Sequence, residues 1–277
     1  LPICRQIWSR ISSAVVFMIL KWTVLSAKNL AKFLLAGTFI ALLAIGVGAI
    51  LWLEGRADLK PWHTARLSEE FRADGAVTDF EGYLRLEGRL FGQLNREVLD
   101  AVAPADRKAI NRYHRGSLYD PAIWSRNWNR SYVLKQDHPK ALFVLIHGMS
   151  DSPYTLHNLA LTLHDHGGEI IGLRLPGHGT APAGLLEAAW QDLAAAVALA
   201  VDEAQRRAGS SRPVYVVGYS IGGALAVQRS LAAIDARERG VDGLVLISPA
   251  IGLTPLASLA ALQTKTGRLL GLRKVAW

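Results

Sequence analysis

Hydrophobic and polar positions along the chain fall into three regimes. In the first, residues 33–53, FLLAGTFIALLAIGVGAILWL, run for 21 residues without a charge. At about 1.5 Å of rise per residue, a helix of this length crosses a hydrocarbon layer roughly 30 Å thick. Trp52 near its end suits the interface. The pattern predicts a single transmembrane helix at 33–53. A core helix of a soluble protein would show fewer uncharged positions in a row. A cleaved signal peptide has an apolar stretch of about 7–15 residues behind a short basic start, whereas 32 residues precede this one. Gly55 and Ala57 are small enough for a cleavage site, which keeps that alternative open. The earlier run ISSAVVFMIL is interrupted by Lys21 and is too short to cross alone. Residues 1–32 therefore read as a basic segment, in the cytoplasm or on the membrane surface.

The second regime, 54–125, is mixed and reads as a helical lead-in. Leu84, Leu86, Leu90, Leu94 and Val98 recur at helical spacing, and Pro104 follows them. Arginines alternate with tryptophans such as Trp124 and Trp128, a pattern read as a half-buried face in preference to a carbohydrate or lipid-headgroup contact. The third regime, 126–277, alternates strand and helix. ALFVLIHG is a short apolar run suited to a strand buried on both faces. Ser152 and Pro153 fit an N-cap and a first helical position. EIIGLRLPGHG reads as a strand entering a glycine-rich loop. Residues 185–208 place Leu186, Ala189, Trp190, Leu193, Val197 and Val201 on one helical face. PVYVVGYS, IGGALAVQRSLAAI and GLVLISPA then read as strand, helix and strand. Such alternation predicts an α/β fold, a parallel sheet with helices on both faces.

Composition changes the picture in two ways. An apolar fraction of 51% and a mean hydropathy of +0.19 agree with a membrane segment. The net charge of +8 raises the question of a nucleic-acid partner. Its distribution excludes that reading. Residues 1–53 hold five basic residues and no acid, 54–140 hold 15 and 13, and 141–277 hold 11 and 10. The excess thus lies mainly before the apolar stretch, and no nucleic-acid-binding motif accompanies it. Basic residues on that flank predict a cytoplasmic N-terminus with the remainder extracytoplasmic. Cys4 is the sole cysteine, so no intrachain disulfide forms; it reads as an unmodified thiol, with acylation beside the anchor as the alternative. No cofactor or metal site is read.

The chemistry centres on Gly218-Tyr219-Ser220-Ile221-Gly222, a G-x-S-x-G between a strand and a helix. Held on a tight turn there, the Ser220 hydroxyl projects away from the sheet, and side chains at Gly218 and Gly222 would collide. The plain alternative is a glycine-rich helix start with a serine cap. A tetrahedral oxyanion needs two preorganised N–H donors. The Ile221 amide at the helix start is one, and the loop His147-Gly148-Met149 at the end of an earlier strand offers the other. The glycine-rich LRLPGHG follows the next strand, so all three features lie at strand C-terminal ends.

With these motifs, residues from about 131 to 251 resemble the α/β-hydrolase superfamily, in particular its bacterial esterase and monoacylglycerol-lipase-like members. The resemblance implies Ser220 as nucleophile, the backbone amides of Met149 and Ile221 as oxyanion hole, and Gly148, Gly218 and Gly222 as loop and elbow glycines. It implies structural roles for His147 and His178, and Asp151 reads as bordering the helix at Pro153. It also implies a small-molecule or lipid ester as substrate, with acyl transfer to Ser220. The family order is serine, acid, histidine, yet all eight histidines lie at or before His178. Asp235, Glu238 and Asp242 are not placed like the family acid. The closing stretch from Leu253 reads as the start of a cap. The expectation is an N-terminal portion of a membrane-anchored serine hydrolase, inactive as written, and Leu1 in place of Met raises the same expectation at the other end. A non-catalytic binding module, or a peptidase or thioesterase on the same fold, remains the alternative.

Overall fold

The computed structural model describes residues 2–55 and 58–252. Ala57 and the cap-like stretch from Leu253 lie outside the described residues. The chain divides into two compact units. The described part of the first is essentially one helix, α1 (Pro2–Glu54), which runs through Lys21 without a break. Its stretch Lys28–Trp52 is long and apolar enough to cross a membrane and is not buried by the protein. Length and position near the N-terminus suit a span or a signal sequence equally.

The second unit begins at Leu59. It opens with α2 (Pro61–Thr64) and α3 (Phe80–Leu94), the latter capped by Asp79, whose Oδ1 accepts the Gly82 N–H at 2.6 Å. The helical spacing continues past α3 in a π turn, Asn95–Leu99, that keeps Val98 buried beside Leu90 and Leu94. There follow β1 (Tyr132–Leu134), β2 (Ala141–Ile146), α4 (His157–Asp165) and β3 (Gly168–Leu173). Next come α5 (Gly184–Glu187), α6 (Trp190–Ala208), β4 (Val214–Tyr219), α7 (Ile221–Ala236) and β5 (Gly243–Ile247). The sheet order is β1-β3-β2-β4-β5. Strands β2 to β5 are parallel, as the alternation predicts, whereas β1 joins antiparallel at the edge, Val133 opposite Ile171.

Period-2 alternation along the central strands distributes the core to both faces. Leu142, Val144 and Ile146 of β2 face α6, with Val197, Ala200 and Val201, while Leu145 joins Leu156 and Ala160 beside α4. Burying each such side chain is worth about 1.5–3 kcal/mol. The lead-in is part of this packing. Phe71, Phe80 and Tyr83 lie in the same cluster as Ile171 and Val197.

Two local readings of the sequence are refined. The helix expected over 185–208 breaks at Ala188 and Ala189, whose backbones are extended. Asp192 explains the restart of the helix: its Oδ2 accepts the Ala189 N–H at 3.0 Å and its Oδ1 the Ala73 N–H at 2.8 Å. Ser152 does not cap with its side chain; its Oγ donates to Asn129 Oδ1 at 2.7 Å, and Pro153–Leu156 forms a single 3-10 turn before α4.

Candidate active site

Ser220 stands between β4 and α7 with φ 54° and ψ −117°. A non-glycine residue held there stores about 1–3 kcal/mol of strain. Its backbone is fixed on both sides: its N–H donates to Ile247 O at 2.9 Å, and its carbonyl accepts from Gly223 N at 3.0 Å and Ala250 N at 3.0 Å. The flanking glycines are sterically required. A Cβ on Gly218 would lie 2.5 Å from Gly222 O, and one on Gly222 would lie 2.6 Å from His147 O and closer still to Ile146 O. The elbow is therefore pressed against the end of β2.

The loop after β2 closes over the serine. A Cβ on Gly148 would lie 3.3 Å from Ser220 Cβ and 3.0 Å from the Tyr219 ring. The next amide is that of Met149. Neither the Met149 N–H nor the Ile221 N–H has a hydrogen-bond acceptor among the described residues. For Ile221 this follows from its place in the first turn of α7, where the helix leaves amides unpaired and concentrates positive potential. The structure thus brings Ser220, Met149, Ile221 and Gly148 to one end of the sheet, at the C-terminal ends of β2 and β4.

Two buried histidines lie nearby. His147 is fully buried; its Nδ1 lies 2.8 Å from Gly148 O, and its Nε2 accepts the Leu175 N–H at 3.0 Å. Both ring nitrogens are thus occupied by backbone groups, which ties the loop after β2 to the loop after β3. Burial, with smaller contributions from His178 and Arg174, pushes its pKa down to about 3, so the ring is neutral near pH 7. His178 packs 5.1 Å away, centroid to centroid, with Nδ1 on Pro176 O at 2.8 Å. Its pKa is also lowered, chiefly by burial. Asp151 accepts the Ser152 N–H at 2.8 Å and the Thr155 hydroxyl, bordering the turn before α4. Asp242 Oδ2 accepts the Val214 N–H at 2.8 Å, at the opposite end of β4 from Ser220, and Glu238 lies 3.4 Å from Arg229.

One part of the surroundings went unread in the sequence. Arg174, on the LRLPGHG loop, is buried and pairs with Glu70 of the lead-in, Nη2 to Oε1 at 2.8 Å and Nη1 to Oε2 at 3.1 Å. Glu70 Oε2 also accepts the Gly177 N–H at 2.9 Å, while Arg174 Nη1 donates to His178 O at 3.0 Å. Glu87 lies 3.4 Å from Arg174 Nε and accepts from the Ser131 hydroxyl at 2.7 Å. The Tyr83 hydroxyl donates to Arg174 O at 2.7 Å. Burial alone would raise the Glu70 carboxyl, but the guanidinium and the hydrogen bonds outweigh it and hold the pKa below the ordinary range. This network fixes the loop that holds His178.

Residues 137–276 match the model of the family described as serine aminopeptidase, S33. Among solved structures, the chain is similar to one reported for LipS and LipT, two metagenome-derived lipolytic enzymes, at 27% identity and a TM-score of 0.41 over 49% of this chain and 51% of that one. It is also similar to a monoacylglycerol lipase of Paleococcus ferrophilus at 22% identity and a TM-score of 0.38, covering 50% and 51%. A carboxyl esterase of Bacillus coagulans matches at 18% identity and a TM-score of 0.40, covering 51% and 46%. The chain spans about half the length of these structures, and no curated protein matches it. With a family match across half of its residues and the mixed sheet and helices described above, the chain belongs to the serine aminopeptidase S33 family of α/β-hydrolases.

Proposed function

We propose that the protein is a membrane-anchored serine hydrolase that cleaves carboxylic esters through an acyl-enzyme on Ser220. The observation that carries this reading is the strained Ser220 backbone beside two amides, Met149 and Ile221, with no internal acceptor. Ser220 Oγ attacks the ester carbonyl as a general base takes its proton. The oxyanion accepts hydrogen bonds from the two amides; collapse expels the alcohol, and water then releases the acid by the same route. His147 is not the base in this reading, because both its nitrogens are already bonded to backbone.

The family description names an aminopeptidase, which must hold a substrate ammonium group on an acid. Asp151, the carboxylate on the loop after Met149, accepts two hydrogen bonds, both on Oδ1, from its own loop and the turn beside it. Apolar and aromatic side chains beside that loop, Met149, Tyr154 and Trp124 among them, are exposed, and they favour an ester with an apolar part. Residues 33–53 act as anchor behind the basic segment 1–32, with the N-terminus cytoplasmic. The lead-in 54–125 and the core 126–277 lie on the extracytoplasmic side.

The test is covalent capture of the protein, at its natural full length, by a fluorophosphonate probe followed by peptide sequencing. Label on Ser220, lost in Ser220→Ala with the circular dichroism unchanged, is the expected result. Label on a different serine, or undiminished label in Ser220→Ala, overturns the assignment.

A further inference from the structure

Beside the loop that carries Met149, the lead-in builds a cleft with two chemically different halves. One half, about 430 Å³, is the more polar and lies between the loops 150–154 and 177–182; its walls include Asn129, Ser152, His178 and Thr180. The other, about 480 Å³, is walled by Ile110, Leu118, Tyr119, Trp124 and Trp128. The halves meet at three residues common to both, Arg112, Asn129 and Tyr154.

The junction is made of hydrogen-bond donors without partners of their own. Arg112 is exposed and has no carboxylate partner among the described residues; its contact is the face of the Tyr113 ring, 5.4 Å to the centroid. Asn129 accepts the Ser152 hydroxyl on its Oδ1, and its side-chain NH2 has no acceptor among the described residues. Asp151, the acid lining the polar half, accepts from Ser152 and Thr155 through Oδ1 and is not among the residues that line the junction. Donors around an unpaired cation suit an anion. On the apolar side the rings are held in place: Tyr154 stacks on His157 at 4.6 Å, and Trp128 lies 5.3 Å from the same imidazole. Yet Leu118 is 70% and Trp124 52% exposed. In the polar half, His178 Nε2 and Thr180 Oγ1 are buried with no hydrogen-bond partner in the described structure, so an alkyl chain gains nothing by turning that way.

We infer that this cleft binds an anionic amphiphile, its hydrocarbon chain along Trp124 and Leu118 and its phosphate or carboxylate head at Arg112 and Asn129. The inference rests on the hydrolase reading only in making that amphiphile the substrate; the binding itself does not require it. Tyr154 lies five residues beyond Met149 on the chain, so a head group at the junction is close in sequence to the amide assigned to the oxyanion.

The experiment uses the full chain in lipid nanodiscs, irradiated with a lysophosphatidate that carries a diazirine in its acyl chain, or with the matching fatty acid or monoacylglycerol. Cross-links are expected between Ile110 and Trp128 and at Tyr154. Arg112→Gln should lower capture of the phosphate and carboxylate probes about tenfold and leave the neutral probe nearly unchanged. Trp124→Ala should lower capture of all three. A tenfold loss confined to the phosphate or to the carboxylate probe names the head group. Both substitutions replace exposed side chains, and an unchanged circular dichroism spectrum and urea midpoint report an intact fold. Cross-links confined to Lys28–Trp52, or insensitive to both substitutions, overturn the inference. So do cross-links to the same residues from diazirine lipids of the bilayer itself at equal yield, which would make the patch a bilayer-docking face. If fluorophosphonate fails to label Ser220 while the cleft still captures the probe, the hydrolase reading falls and the binding site stands. If labelling holds and capture is absent, the reverse is true.

Discussion

Glu70 and Arg174, 104 residues apart in sequence, form a bidentate ion pair inside the protein, and the same carboxylate accepts the Gly177 N–H. The pair couples the lead-in to the loop that holds His178. Taking two charges out of water costs several kcal/mol each, so removing one partner is far worse than having neither. Glu70→Gln should destabilise the second unit by about 3–5 kcal/mol, read as a lower urea midpoint at pH 7. Replacing both residues by methionine should cost much less. Equal losses in the single and double variants would show that the pair is not coupled in this way.

The pair also sets an acid limit. The Glu70 pKa is lowered in the folded state, so its contribution is full above the unfolded value of about 4.3 and is lost as pH falls through the folded value. His147 acts in a different window. Its folded pKa is about 3, against about 6.5 unfolded, so on acidification the unfolded chain takes up a proton that the native chain refuses. Stability should therefore begin to fall below about pH 6.5, before Glu70 contributes. Urea midpoints between pH 7 and 5 check this: wild type should decline, and His147→Gln, though less stable throughout, should decline less. Parallel curves would remove His147 as the cause.

How legible this was depends on range. The apolar runs of β2, β3 and β4 each have five or more strand residues between turn signals, and the glycine spacing around Ser220 reads as an elbow once the strand before it and the helix after it are recognised. Those signals are local. β1 is three residues long, too short for alternation to register, so a parallel sheet was read where an antiparallel edge strand is present. The break at Ala188 depends on Asp192 reaching Ala73, and the Glu70–Arg174 pair on a contact across the fold. Neither leaves a periodic trace. Nothing local marks Glu87 for burial, yet it is 1% exposed, because Ser131 and two arginines surround it.

At the elbow, space rather than charge decides. Gly222→Ala should lower stability by at least about 1–3 kcal/mol and reduce fluorophosphonate capture at Ser220, since the added Cβ meets the carbonyls of Ile146 and His147. Gly240→Ala, where a Cβ meets nothing within 4 Å, is the control for the loss of a glycine. A Gly222→Ala variant as stable and as reactive as that control would mean that the elbow relaxes more freely than its contacts imply.

The arrangement of α1 gives the last prediction. Residues 28–52 form an apolar helical stretch with no side chain buried by the protein; Arg5, Arg10 and Lys21 precede it, and Lys28 and Lys32 stand in its first turns. A bilayer provides what the fold does not, and basic residues on one flank hold that flank in the cytoplasm. Alkaline phosphatase fused after Lys60 should therefore be active, and a cytoplasm-dependent reporter fused at the same point silent. The same chain should stay with membranes after carbonate extraction. Two outcomes count against an anchor in this orientation, and they differ: a silent phosphatase fusion reverses the topology, whereas a soluble chain starting near Asp58 makes α1 a signal sequence. Arg5 and Arg10 separate the two further. Replacing both with glutamate should reduce phosphatase activity if charge sets the orientation of an uncleaved span, and should leave the mobility of the membrane-bound chain unchanged, because no cleavage site is touched.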